Sequence, residues 1–184
     1  MTQQQQEQNK GNWNMANPWP SWRAHLLFWP IAAGGMVLDL WTKKAIFDRL
    51  GPADSVQIIP GFLQLLTVTN KGAAWGLAHG HLAVLVAVSV VALVVILGLF
   101  LQGGNKPALT TVVLGLFAGG VLGNLWDRLF NNGEVRDFID VYIGTRHWPT
   151  FNVADTLLCV AVGLLLIATL ATERHGQTRD RPQR

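Results

Sequence analysis

Two stretches of this chain carry no charge for twenty residues each: Leu82 to Leu101 and Pro107 to Trp126. At about 1.5 Å of rise per residue, helices of that length cross a hydrocarbon core of roughly 30 Å. Inside a bilayer only helices or closed barrels satisfy their own backbone hydrogen bonds, so the two runs point to a helical membrane protein. Two more apolar runs, 24–42 and 153–171, each contain one aspartate, Asp39 and Asp155. They read as the first and last of four spans. Composition agrees: 14% of the 184 residues are charged and 50% are hydrophobic, whereas soluble domains carry about 25% charged residues. The net charge of +3 is too small and scattered for a nucleic-acid partner.

The remainder divides around these spans. Residues 1–23 are polar, with a glutamine run at 3–6, and read as a disordered tail; residues 174–184 form a second tail. The first tail lacks the apolar stretch and small-residue cleavage site of a signal peptide. Residues 102–106 make a tight polar turn, while 43–81 and 127–152 are longer loops. Ser55–Ile59 and Phe62–Thr69 flank Pro60-Gly61 and read as two strands around a turn, with Phe138–Ile143 as a third. The expected class is a membrane all-α protein of four transmembrane helices with a small sheet outside the membrane. Lysines and arginines are equally numerous on the two sides. Arg174, Arg179, Arg181 and Arg184 crowd the C-terminus, which favours both termini inside.

An up-and-down bundle of four helices brings the unusual polar residues to one membrane face: Asp39, Lys43, Asn70, Asn124, Asp127, Arg128, Asp137, Asn152 and Asp155. Carboxylates at membrane depth are costly unless paired, hydrated or protonated, so each is a functional candidate. Asp39 and Lys43, four apart, also fit a simple ion pair. Asp127 follows Gly115, Gly119 and Gly123 at four-residue steps, a small-residue stripe that turns it into the bundle. With Asn124 and Arg128 it fits a bracing network as well as it fits catalysis. Asp155 lies in the first turn of the last span, after Asn152 as a helix cap, where the anionic form is favoured. Asp137 precedes it across the loop. Two carboxyls in unlike environments make an acid–base pair, or else two interfacial aspartates.

Other chemistries fit poorly. Ser21, Ser55 and Ser89 lie in no nucleophile elbow. The five histidines form no His-Glu-x-x-His pair, which gives no metal motif. Cys159, the single cysteine, sits in an apolar run and reads as a small hydrophobe.

Four stretches then carry a resemblance. They are Asp39-Leu40-Trp41-Thr42-Lys43; Asn70-Lys71-Gly72-Ala73-Ala74-Trp75; Gly123-Asn124-Leu125-Trp126-Asp127-Arg128; and Val135-Arg136-Asp137-Phe138 with Phe151-Asn152-Val153-Ala154-Asp155. In this order and spacing, over about residues 24–171, the chain resembles the lipoprotein signal peptidases (signal peptidase II). The resemblance implies four spans, cytoplasmic termini, and a small extracytoplasmic sheet with a short extracytoplasmic helix. It implies an aspartic endopeptidase of the bacterial inner membrane, sensitive to globomycin. Such an enzyme removes the signal peptide of prolipoproteins before a diacylglyceryl-modified cysteine. Asp137 and Asp155 match the catalytic pair. Asp39, Lys43, Asn70, Gly72, Asn124, Asp127, Arg128 and Asn152 match substrate-binding or supporting positions. No metal or organic cofactor is implied; the expected partners are prolipoprotein and membrane lipid, and the expected state is a monomer. Leu40 and Trp75 depart from the residues common in the family. Arg136 places beside Asp137 a cation that would lower its pKa if it turned inward, although on a strand it would face the other way.

Overall fold

A computed structural model of the chain describes residues 19–52, 54–72, 80–102 and 106–179, with side chains as far as 170. Four helices are long and apolar enough to cross a membrane: α1 (Trp22–Phe47), α2 (Leu82–Leu101), α3 (Ala108–Phe130) and α4 (Val153–Arg179). Outside them lie β1 (Ser55–Ile59), β2 (Leu63–Asn70), β3 (Val135–Ile143) and β4 (Arg146–His147), an antiparallel sheet in the order β1-β2-β3-β4.

The helices outrun the apolar stretches. The expected span 24–42 belongs to a helix that starts at Trp22, capped by Ser21, and continues to Phe47. Its last turns hold Lys43 inside and leave Lys44 outside, so charge did not end the helix. Likewise α3 runs past Trp126 to Phe130, and α4 past 171 to Arg179, into what read as tail. The third strand begins at Val135 rather than Phe138, and the second covers Leu63–Asn70 rather than Phe62–Thr69. The first eighteen residues of the expected N-terminal tail, residues 180–184 of the C-terminal one, residues 103–105 of the turn, and 73–79 with Trp75 lie outside the described residues. Among those described, no short extracytoplasmic helix appears.

α3 is the central helix and packs against the other three. Its glycines allow this. A Cβ at Gly115 would stand 3.0 Å from the Ile31 side chain, and one at Gly119 would stand 3.0 Å from the Ala32 carbonyl. One at Gly123 would collide with the Asp39 carboxylate. A Cβ at Gly120, on another side, would stand 2.7 Å from the Ala154 carbonyl oxygen. Small residues thus bring two helix backbones close to α3, which suits a bilayer, where packing rather than water exclusion drives association. Toward the opposite end, Phe28 of α1 stacks on Phe100 of α2 with ring centroids 4.1 Å apart. Ile96, Leu114 and Ala118 complete that cluster. The outward faces are apolar too: Val88, Val94 and Ile167 are each more than 60% exposed. A water-facing surface would not carry that pattern; a lipid-facing one does.

Two connections position the site. Asn132 and Gly133 both adopt positive φ, 52° and 80°, and turn the chain from α3 straight into β3. Beyond β4 the chain returns along β3. Phe151 bridges Ile139, receiving N–H bonds at its carbonyl from Phe138 (3.0 Å) and Ile139 (2.8 Å). That bridge sets the first turn of α4 beside the strand that carries Asp137.

Candidate active site

Asp137 sits on β3, opposite Val68 of β2 and two pairs away from Asn70. Its carboxylate receives amide N–H bonds on both oxygens, from Asn152 to Oδ1 at 2.7 Å and from Asn70 to Oδ2 at 3.2 Å. Asp155 occupies the third position of α4 and closes a reciprocal cap with Asn152. The Asp155 N–H donates to Asn152 Oδ1 (3.0 Å), and the Asn152 N–H donates to Asp155 Oδ2 (3.2 Å). This is a capping box with asparagine and aspartate in the two reciprocal places. Asn124 of α3 donates to Asp155 Oδ1 at 2.8 Å and accepts from Asn152 at 3.0 Å. Asn152, fully buried, thus touches both aspartates, and Asn124 joins it from the neighbouring helix.

The second pair of acids is held differently. Asp39, Lys43 and Asp127 are all 0% exposed. Lys43 Nζ lies 2.7 Å from Asp39 Oδ2 and 3.3 Å from Asp127 Oδ2, and donates to Asn124 Oδ1 at 3.0 Å. Asp39 Oδ1 accepts from the Ala154 N–H (2.9 Å), satisfying a free donor at the start of α4 from a separate helix. Asp127 accepts from Arg136 three times: from the backbone N–H (3.0 Å), from Nε (3.3 Å) and from a terminal nitrogen at 2.6 Å. Arg136 therefore turns away from Asp137 and does not lower its pKa. Burial, and then the negative charge of Asp155, push Asp137 up to about 7 from an ordinary 3.8, against the lowering effect of the Asn70 and Asn152 hydrogen bonds and of Lys43.

Both aspartates of the first pair line a cavity of about 500 Å³, together with Asn70, Gly72, Asn124 and Arg128. Gly72 donates its N–H to Asn70 Oδ1 (2.8 Å), and its carbonyl lies 3.5 Å from an Arg128 terminal nitrogen. Arg128 Nε is buried with no hydrogen-bond partner among the described residues. Val135, Trp148, Pro149, Phe151, Leu158 and Cys159 make the apolar part of the wall. Of the residues singled out in the sequence, Asn70, Gly72, Asn124, Arg128, Asp137, Asn152 and Asp155 form one connected set at the cavity, and Asp39, Lys43 and Asp127 form the charged layer beneath it. Sequence reasoning missed the Trp148–Phe151 wall, although an aromatic-proline segment directly before a helix cap was a visible signal. It also missed Asp140, buried between Gln64 and His147. No cluster of three or more metal-ligating side chains occurs among the described residues.

A carboxyl that keeps its proton near neutrality, beside a second carboxylate, in a mostly apolar pocket, is equipped for acid–base hydrolysis. Comparisons with known proteins show the family. The family model described as signal peptidase (SPase) II matches residues 31–171. A lipoprotein signal peptidase of Geobacillus kaustophilus is 43% identical over 142 residues, covering 76% of this chain and 90% of that protein. One from Geobacter sulfurreducens is 39% identical over 152 residues, covering 81% and 94%. A solved bacterial membrane enzyme, determined by the in meso method at 2.3 Å, superposes with a TM-score of 0.72 at 32% identity, covering 84% of this chain and 91% of that one. A second, at 1.9 Å, gives 0.68 at 35% identity, covering 76% and 90%. With a family match across most of its length, and Asp137 and Asp155 brought together in one pocket, the chain belongs to the signal peptidase II family of aspartic peptidases.

Proposed function

We propose that Asp137 and Asp155 are the catalytic pair and cleave the signal peptide from a diacylglyceryl-modified prolipoprotein, immediately before its lipidated cysteine. The observation that carries this reading is the unlike setting of the two carboxyls: Asp137 pushed up to about 7, Asp155 held by the N-terminal turn of α4. Asp155 acts as base and takes a proton from water. The resulting hydroxide attacks the carbonyl carbon before the cysteine, while protonated Asp137 donates to the carbonyl oxygen. As the tetrahedral intermediate collapses, a hydroxyl returns its proton to Asp137, the C–N bond breaks, and the cysteine nitrogen leaves with the proton taken up by Asp155. The longer of the two amide bonds to Asp137 falls on Oδ2 (3.2 against 2.7 Å), which favours Oδ2 as the protonated oxygen.

Arg128, whose Nε has no partner among the described residues, and Asn70 can donate to substrate carbonyls. Asp39, Lys43 and Asp127 act as supports. The pocket opens at the extracytoplasmic side of the bacterial cytoplasmic membrane, acyl chains remain in lipid, and one chain suffices. The test is processing of a lipidated prolipoprotein by the purified protein in bilayers. The expected product begins at the modified cysteine, globomycin blocks its formation, and the unlipidated precursor stays uncut. An uncut lipidated precursor, or cleavage elsewhere, would refute the reading.

A further inference from the structure

The sheet has two unlike faces. Side chains alternate along a strand, and paired residues share a face. On β3, Asp137 therefore shares a face with Ile139, Val141 and Ile143. Val68, Leu65 and Leu63 of β2 stand opposite the first three of these, and Val56 and Ile59 of β1 lie beyond. Apart from Asn70 and Asp137 at the catalytic end, every residue paired on this face of β1, β2 and β3 is apolar. The other face carries Gln57, Gln64, Asp140 and Tyr142, with His147 of β4, and Asp140 there bonds both Gln64 and His147. It is the apolar face that stays exposed: Val56, Ile59 and Val68 by 46%, 48% and 42%, and Ile143 by 73%.

The position of this face indicates its occupant. Asp137, and Phe151 bridged to Ile139, line the cavity together with Leu158 and Cys159 of α4. One and two helical turns beyond Leu158, Val162, Leu165 and Leu166 are 46–59% exposed on the flank that α4 turns to lipid. A single apolar surface thus runs from the sheet, through the cavity wall, to the lipid-facing side of a spanning helix. At the sheet's far end exposed Arg146 pairs with Ile143 and shares its face. A long cationic side chain there can rest its stem on apolar surface and reach lipid phosphate. Exposed apolar surface of this extent marks an interaction site. We propose that the apolar face of the sheet is a membrane-docking surface, lying on the lipid leaflet beside α4 with Val56, Ile59 and Ile143 in contact with lipid. This rests on the spanning helices and not on the catalytic assignment. A sheet seated on the leaflet holds the strand that carries Asp137 at a set height above the bilayer.

The test uses the full chain in phospholipid vesicles, with Cys159→Ala as background so that a single introduced cysteine carries a fluorescent label. Ile59→Cys and Ile143→Cys report the apolar face, and Gln57→Cys reports the polar one; all three positions are exposed. Each label is challenged with brominated phospholipid and with aqueous iodide. Lipid quenching is expected to be several-fold stronger for the two apolar-face labels than for the polar-face label, with iodide quenching in the reverse order. Equal access of iodide to both faces would overturn the proposal. So would shielding of the apolar-face labels from both quenchers, the result that a protein partner or a second copy of the chain would give. Cleavage is not read, so the peptidase reading stands or falls separately.

Discussion

Two pairs of aspartates lie close together here, and they are matched to different partners. Asp39 and Asp127 are wholly buried and meet cations, Lys43 and Arg136, at 2.6–3.3 Å. Asp137 and Asp155 meet side-chain amides and backbone N–H groups and open to a cavity. A cation occupies a carboxylate's oxygens for structure. An amide orients the carboxyl while leaving its protonation free to change. Pairing Lys43 and Arg136 with Asp39 and Asp127 therefore lets the molecule brace its helices ionically and leave an exchangeable proton on the proposed catalytic pair.

Substitutions can break this contrast. The largest effect is expected for Asp137→Asn, which keeps the shape and removes the acid. Its cleavage rate should fall by roughly 10²–10⁴, the usual contribution of a positioned acid or base, with insertion intact. Near-normal kinetics would remove Asp137 from the chemistry. Lys43→Met should act on the fold instead. It strands Asp39 and Asp127 without their shared ammonium, and breaking a buried ion pair costs about 3–5 kcal/mol. Thermal unfolding in detergent reads that loss, and an unchanged midpoint would show the charged layer to be dispensable.

A gentler effect follows from the Asp137 proton. Its pKa is raised from 3.8 to about 7, so the folded protein keeps a proton that the unfolded chain releases. This contribution to stability is fully present below about 3.8 and lost as pH rises through about 7, and the cleavage rate should decline over the same upper limb. The Asn70 hydrogen bond lowers that pKa. Asn70→Ala should therefore move the alkaline limb to higher pH, measurable in a pH–rate profile. A shift to lower pH would contradict the assignment of the proton.

Much of this was legible in the sequence because lipid imposes length and charge rules that a run of residues cannot hide. The four spans and the one-sided gathering of polar residues came from those rules, and the ordered motifs separated Asp137 and Asp155 from the other acids. The ends of the helices did not follow, because Lys43 and Asp127 are buried against partners outside their own helices, Asp127 and Asn124 for one and Arg136 for the other. Asp39 looked like half of an ion pair four residues long; its second role, holding the first turn of α4 through Ala154, is a contact across 115 positions. Arg136 looked like a neighbour able to perturb Asp137. Strand alternation sends it to Asp127 instead. The Trp148–Phe151 wall is a product of the β3 bridge, and no local periodicity announces a bridge.

The contrast between the two acid pairs is tested most directly by comparing Asp155→Asn with Asp127→Asn, measuring cleavage of a lipidated peptide per folded molecule. The account predicts that Asp155→Asn inserts and folds but does not cut, whereas Asp127→Asn is less stable yet its folded fraction still cuts. Cleavage by Asp155→Asn, or a folded but inactive Asp127→Asn, would contradict it.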